Sequence, residues 1–493
     1  MIYALAAILG AAYALGFAPF DFWPATVLAV AGLFWLVHAR HIKPTLAAWC
    51  FGLGKYGLGA SWVYVSIHVY GNAPPALAAL LVVLFVALLA ALFCIPIGWL
   101  YARLRPATAW GVRDVLVFSA AWVVADWLTT WLFTGFPWLL PGYAFMDTPM
   151  LAFAPVVGVL GMGALCVVAI AAAVALARER RVGLSMVLAA PLLLALLLTQ
   201  VRWATPGETF DVALVQGNLD QASKWLPEQA VPNVRKHLRL SAEHWDADVL
   251  MWPEASVTMY PQQAQGLLES LAEQGETTAT NVVLGIPGAE AGPDGNYSLQ
   301  NLSIGLGLAR GRFAKYHLVP FGEYVPFEGL LRGMIQFFDL PMSRSSPGAR
   351  DQPNIELSMG AAAMAICYEI AYPQSMRERG RDAAVLMTIS NDTWFGDSIG
   401  PLQHMQIARM RAVENARWLL RATNNGVTGI VDHEGQLVDS LPQFEEGVLR
   451  GQFTVMQGRT PYSHMGHWPV LMALAGIFGV ALWGLRTRRA TRS

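Results

Sequence analysis

The chain has 493 residues, 55% of them hydrophobic and only 14% charged, with 33 Lys and Arg against 34 Asp and Glu. A soluble globular protein carries about a quarter charged residues, so these figures exclude a wholly soluble chain. The net charge of −1 gives no attraction for a phosphate backbone, and no nucleic-acid partner is expected.

From Met1 to about Gln200 uncharged apolar runs recur, and another follows Pro469. A helix crossing the hydrocarbon core needs about 20 apolar residues. Runs centred on residues 3–18, 24–39, 46–66, 76–101, 115–132, 152–177, 183–200 and 468–485 predict about eight transmembrane helices. The first two are short and separated only by FAPFDFWP, and AAYALG offers an A-x-A-like cleavage site without the positive region of a signal peptide.

Basic residues set the orientation. Arg40 and Lys43, then Arg103, Arg105 and Arg113, then Arg178, Arg180 and Arg181 alternate with connections lacking Lys and Arg, and RTRRATRS ends the chain. By the positive-inside rule these basic loops and both termini are cytoplasmic, and the polar region lies outside. The expected domains are 1–206 (seven helices), 207–457 (an exocytoplasmic domain) and 458–493 (the last helix and a basic tail). Trp127, Trp131, Phe136 and Trp138 read as an interfacial aromatic belt. Asp126, inside the fifth span, is an intramembrane acid with a structural and a functional reading.

Within 207–457 strand patterns alternate with helical ones, as in a layered α/β domain. FDVALVQGN is a strand entering a loop, RKHLRLSAEHW an amphipathic helix and DVLMWPEAS a strand then a turn. QGLLESLAEQG is a helix before the strand NVVLGIPG, and LSIGLGLARGRFAKYHLVPFG reads as strands with a turn at GRF. AAAMAICYE ends a buried strand, MRERGRD supplies a helix end, and AAVLMTISND is another buried strand. IARMRAVENARWLLRAT has helical spacing, and GVTGIVDHEGQL reads as a hairpin with Asp-His-Glu-Gly at its tip. The unbroken apolarity of AAAMAI and AAVLMTIS is that of strands covered on both faces.

Cys367 is the one cysteine of this outer region, where disulfides form readily. An unpaired exported thiol is inert and buried, bridged to another chain, or reactive. Glu254 follows one strand, Lys315 a second, Glu323 lies nearby, and Cys367 ends another; ligand sites of such folds sit at strand ends. Each has an ordinary alternative: a solvated turn acid, a surface lysine, an acid near a helix start at Glu369, an Asx turn at Asn391 and Asp392. Together they describe a thiol-acylation site. Glu254 can take the thiol proton, and Lys315 can bias the thiol toward thiolate and stabilise an oxyanion. His317, His404 and His433 show no zinc spacing and no Walker motif is present, so neither metal nor other cofactor is expected.

WPEAS, KYHLVPFGEYVP, ICYE and SNDTWFG, in this order, resemble the nitrilase or carbon–nitrogen hydrolase superfamily. With the membrane segments, QGNLDQASKW and IGPLQHMQIARMRAVENARWLLRATNNGVTGIVD, the whole chain is similar to the family of apolipoprotein N-acyltransferases. The resemblance implies an αββα sandwich with Glu254, Lys315 and Cys367 as catalytic triad. It also implies Glu323, Tyr368 and Glu369 as supporting residues, and Trp225 near the entrance. PEAS departs from the family pattern just after Glu254, outside the triad. The implied reaction is ping-pong: Cys367 takes an acyl chain from a membrane phospholipid, and the α-amine of an apolipoprotein's diacylglyceryl-cysteine then takes it from the thioester. A bacterial inner-membrane location, the domain facing the periplasm and a monomeric state are expected with it. The alternative is a membrane-tethered nitrilase-type amidase or hydrolase.

A thioester must be kept from water. Residues 324–342, with Phe337 and Phe338, are apolar enough for a lid lying on the membrane, although such spacing also suits a packed helix.

Overall fold

The computed structural model describes residues 1–39, 41–105, 110–291, 297–326 and 345–490. It divides into two compact units: Met1–Tyr64, Ala76–Arg202 and His464–Ser493 form one, Val65–Pro75 and Trp203–Ser463 the other.

In the first unit every apolar run of the sequence holds a helix. Pro75–Leu104 and Pro149–Arg178, each 30 residues, are long and apolar enough to cross a membrane. Ile2–Ala14, Trp23–His38, Val182–Leu198 and Trp468–Gly484 are shorter apolar helices. Pro44–Gly59 and Val112–Thr129 carry buried charge, Lys55 on the one and Asp114 and Asp126 on the other. Pro96 lies within the Pro75–Leu104 helix, where its missing N–H would break the hydrogen-bond ladder. A widened π turn at Ala90–Cys94 comes immediately before it and takes up the irregularity. Gly10 and Gly54 let the first and third helices touch: a Cβ at Gly10 would strike the Phe51 carbonyl, and one at Gly54 the Ala7 carbonyl.

The aromatic cluster differs from a simple belt. Trp131 is exposed, whereas Phe136 and Trp138 are buried and stacked at 5.9 Å, with Trp62 5.3 Å from Trp138.

The second unit holds two six-stranded sheets among the described residues. One runs β12 (Gly447–Gly458), β1 (Ala204–Gln216), β2 (Val249–Met251), β3 (Asn281–Ala291), β4 (Tyr297–Gly307), β5 (Arg312–Ala314). The other runs β11 (Leu437–Ser440), β10 (Gly429–Val431), β9 (Leu419–Thr423), β8 (Val385–Ser390), β7 (Gly360–Ile366), β6 (Ile355–Leu357). Alternate residues of each strand point to opposite faces. Val212, Leu214, Met251, Met364, Ile366, Met387 and Ile389 therefore meet in one core between the sheets. Ala213, Val215, Leu250 and Trp252 pack with Leu271 of the helix Gln265–Thr277. Ala363, Ala365 and Leu386 pack with Met405 and Ala408 of the helix Gly400–Asn415. Four layers result, α-β-β-α, and the central strands are apolar throughout because both faces are covered.

One element differs from the sequence reading. The helical spacing of IARMRAVENARWLLRAT stops at Asn415, Ala416 is left-handed at φ 48°, and Leu419–Thr423 is β9. Arg417 fixes the reversal by donating to the carbonyls of Ala383, Ala416 and Gly458. A strand buried on both faces has no alternation to distinguish it from a continuing helix.

Candidate active site

The site forms where strand ends of the two sheets converge. Glu254 lies three residues beyond β2, where Ala255 takes φ 48°. Lys315 follows β5, and its N–H donates to the Asn301 carbonyl of β4 at 2.8 Å. Cys367 follows β7 and opens a short turn, Cys367–Ala371, with φ 53°. The parallel register pairs Ile366 with Ile389, so Cys367 and Ser390 are side by side at the ends of β7 and β8.

Lys315, only 1% exposed, has its ammonium 2.8 Å from Glu323 Oε1 and 3.5 Å from Glu254 Oε1. One buried cation thus serves two carboxylates, and their charges hold its pKa above the ordinary lysine value against the opposing effect of burial. Burial, with the neighbouring Glu254 charge, raises the Glu323 pKa despite Lys315. Glu323 also accepts from the Val319 N–H at 2.8 Å, which closes the loop carrying it.

Glu254 is oriented at both oxygens. Asn301 Nδ2 donates to Oε1 at 2.5 Å and the Asn391 N–H to Oε2 at 2.7 Å. Asn391 Nδ2 in turn donates to Gln221 Oε1 at 2.8 Å. Neither Asn301 nor Gln221 was singled out by the sequence reading, because an amide on a strand or loop carries no chemical signature of its own.

Cys367 is partly buried as a residue and forms no disulfide. Its pKa is pushed up to about 12, first by burial and then by the Glu254 charge, with Lys315 acting in the opposite direction. Lys315 supplies the expected bias toward thiolate, but it is shared between two carboxylates and does not offset burial. The resting sulfur carries its proton.

Glu369 stands in the first turn of Cys367–Ala371, near a helix start as the ordinary reading has it, but fully buried. Its Oε1 accepts from the Tyr316 and His317 N–H groups at 3.0 and 3.2 Å, and Oε2 from the Ile366 N–H at 2.9 Å. It ties the residues after Lys315 to the residue before Cys367. Tyr368 packs edge-on against Tyr372 at 5.3 Å, and Tyr372 stacks on His317 at 3.8 Å. Trp225 is 38% exposed, beside the buried Lys224, whose ammonium donates to the Glu254 carbonyl at 3.2 Å. Burial lowers the Lys224 pKa to about 8. Phe337 and Phe338 lie outside the described residues. Among the described residues no group of three or more His, Cys, Asp or Glu is arranged to hold a metal ion.

Two protein-family models match the chain: the apolipoprotein N-acyltransferase N-terminal domain over residues 9–173 and the carbon-nitrogen hydrolase domain over residues 211–459. A Pseudomonas syringae pv. tomato protein named apolipoprotein N-acyltransferase is 40% identical over 495 residues, covering 98% of this chain and 96% of its own. One of the same name from Vibrio vulnificus is 39% identical over 500 residues, covering 98% and 97%. Among solved structures, Saccharomyces cerevisiae Nit3, a member of branch 10 of the nitrilase superfamily, aligns with 19% identity and a TM-score of 0.38 over 50% of this chain and 91% of its own.

Proposed function

The chain belongs to the apolipoprotein N-acyltransferase family, and from that premise we propose that it N-acylates apolipoproteins through a thioester on Cys367. The acyl donor is a membrane phospholipid, and the acceptor is the free α-amine of an N-terminal diacylglyceryl-cysteine.

In the first half-reaction the Cys367 sulfur attacks the ester carbonyl while Glu254 removes its proton. Because the resting thiol is protonated, proton removal accompanies attack rather than preceding it. Lys315 stands beside the oxyanion that develops. The C–O bond then breaks, the departing glycerol oxygen takes the proton from Glu254, and a lysophospholipid leaves. In the second half-reaction the α-amine attacks the thioester carbonyl, the C–S bond breaks, and Glu254 carries the amine proton back to sulfur. The products are an N-acyl lipoprotein and the original thiol, so no cofactor is consumed.

Both substrates carry their tails in a bilayer, which is the reason a catalytic domain of this kind would accompany so many apolar helices. We place the protein in the bacterial inner membrane with eight spans, both termini in the cytoplasm and the catalytic unit in the periplasm. The basic connections and the positive-inside rule support this orientation.

The observation that carries the reading is the buried grouping of Glu254, Lys315 and Glu323, of which Glu254 and Lys315 act directly on the Cys367 thiol. The test is intact-protein mass spectrometry after incubation with a phospholipid of defined chains. The expected result is a mass increase of one acyl group less the displaced proton, absent in Cys367→Ala and discharged by a diacylglyceryl-cysteine peptide. An active protein that never carries the adduct would refute the covalent route.

A further inference from the structure

Cys367 is held at a strained backbone conformation that a residue with a Cβ rarely adopts, φ 53°. Something around it must hold that turn. His404, fully buried on the helix Gly400–Asn415, has Nε2 3.2 Å from the Cys367 carbonyl. A carbonyl oxygen only accepts, so Nε2 carries a hydrogen. Nδ1 of the neutral ring is then an acceptor, and the Arg421 guanidinium donates to it at 2.9 Å. Nδ1 is also 3.1 Å from Asp392 Oδ1, a contact that becomes a hydrogen bond only if the ring gains a second proton. Burial and the adjacent Arg421 charge oppose that proton.

The chain of contacts returns to the same cysteine. Arg421 also donates to Asp392 Oδ2 at 2.7 Å, and Asp392 Oδ1 accepts from the Ser390 hydroxyl at 2.6 Å. Ser390 lies beside Cys367 by register and acts on the Cys367 thiol; with its one hydroxyl hydrogen given to Asp392, its oxygen is left to accept from the S–H. His404, Arg421, Asp392 and Ser390 are each no more than 1% exposed.

We propose that these four residues form a closed positioning circuit that grips Cys367 at both ends, its carbonyl through His404 and its sulfur through Ser390. His404 fixes the left-handed turn, and Ser390 fixes the rotamer that aims the sulfur at the attacked carbonyl. None of the four needs to touch substrate; they are positioning residues, and the assignment rests on Cys367 being the nucleophile. A displacement of about 1 Å in a reacting atom can slow a reaction by about 100-fold without changing substrate binding.

The test uses the detergent-purified full chain and the rate of acyl-adduct formation at saturating dioleoyl phospholipid. His404→Leu removes the donor to the Cys367 carbonyl, whereas His404→Gln returns an amide N–H to about the position of Nε2. His404→Leu should lower the saturating rate by about 10- to 100-fold with half-saturation by lipid within about 2-fold. His404→Gln should recover most of it. Ser390→Ala, which deletes only a hydroxyl, should lower the saturating rate by about 10-fold, again without moving half-saturation. Wild-type rates in both His404→Leu and Ser390→Ala would overturn the circuit, as would equal losses in His404→Leu and His404→Gln. If His404→Leu fails to fold, a wild-type rate in Ser390→Ala alone overturns it. A wild-type protein that forms no adduct would instead overturn the nucleophile reading beneath it.

Discussion

Glu254 and Asn391, 137 positions apart, are joined by a 2.7 Å hydrogen bond from the Asn391 N–H to Glu254 Oε2. Glu254 belongs to the end of β2 in one sheet and Asn391 to the end of β8 in the other. The bond therefore locks the proposed base of one sheet against the strand beside the thiol of the other. Asn301 holds the second oxygen from β4. Asn301→Leu should leave the fold intact but free Glu254 to rotate, lowering the acylation rate by about 10-fold or more. Adduct formation followed by mass spectrometry, alongside a thermal melt, checks this. A normal rate would mean the Asn391 N–H alone suffices.

The raised pKa of Cys367 gives an alkaline signature. Iodoacetamide labelling of Cys367 should still be accelerating above pH 9.0, the ordinary thiol value, toward about 12. Glu254→Gln removes a negative charge that contributes to this rise, so its labelling midpoint should fall by about one unit or more while acyl transfer is lost. A midpoint above wild type would contradict the assignment of Glu254 as a charge acting on the thiol. The same shift bears on stability. Between 9.0 and about 12 the unfolded chain has lost the thiol proton that the folded chain keeps, so stability falls as pH rises through that window. Cys367→Ala should flatten that slope.

Lys315 and Glu323 should respond unequally to removal. Lys315→Met leaves two buried carboxylates without their shared cation, and breaking a buried pair in this way costs about 3–5 kcal/mol. Glu323→Gln leaves Lys315 with Glu254 and should cost about 1–3 kcal/mol. Chemical denaturation in detergent should therefore rank Lys315→Met below Glu323→Gln below wild type. The reverse order would show that Glu323, not Lys315, is the stabilising centre of the cluster.

Glu254, Lys315 and Cys367 stand out in the sequence because each follows an apolar strand, the place where such folds collect polar groups, and Glu323 stands out in the PFGEY loop beyond Lys315. The layered fold was legible for the same reason, in runs such as AAVLMTIS that only two-sided cover explains. Lys224, Asn301, Ser390 and Arg421 carry no signal of their own in the sequence, and His404 enters only as a histidine without zinc spacing. Their roles depend on contacts such as Cys367 to His404, 37 positions apart, and Asn301 to Glu254, 47 apart, which no local pattern encodes. The net direction of the Cys367 shift is not legible, because sequence shows which charges are present but not how deeply they are buried or how one cation is divided between two acids. β9 is hidden in a helical spacing because a strand buried on both faces has no polar–apolar alternation of its own.

The proposed orientation predicts opposite accessibility for two exposed positions. In a background with Cys50, Cys94, Cys166 and Cys367 replaced by Ala, Asp246→Cys on the catalytic unit should react with a membrane-impermeant maleimide in intact spheroplasts. Arg181→Cys, between the helices Pro149–Arg178 and Val182–Leu198, should react only after the membrane is opened. Labelling of Arg181→Cys in sealed spheroplasts would invert the topology.

Glu369 offers the sharpest separation of positioning from stability. Its two oxygens accept three backbone N–H groups, from Tyr316, His317 and Ile366, and Arg379 lies 3.9 Å from Oε1. A glutamine has the same shape but must turn an NH2 toward one side of that arrangement, setting donor against donor and leaving a buried N–H unpaired at a cost of about 1–3 kcal/mol. If the amide faces Tyr316 and His317, the segment after Lys315 loosens; if it faces Ile366, the start of the Cys367 turn does. In either case the cation and the thiol lose their common anchor. Glu369→Gln should therefore lower the saturating acylation rate by about 10-fold or more without altering half-saturation by lipid. It should also speed amide hydrogen exchange at residues 316–317 or at 366 ahead of the rest of the sheet. Exchange that rises uniformly across the catalytic unit would mean that Glu369 contributes only to global stability. A local change with an unaltered rate would mean that the anchor it provides is not needed for acyl transfer.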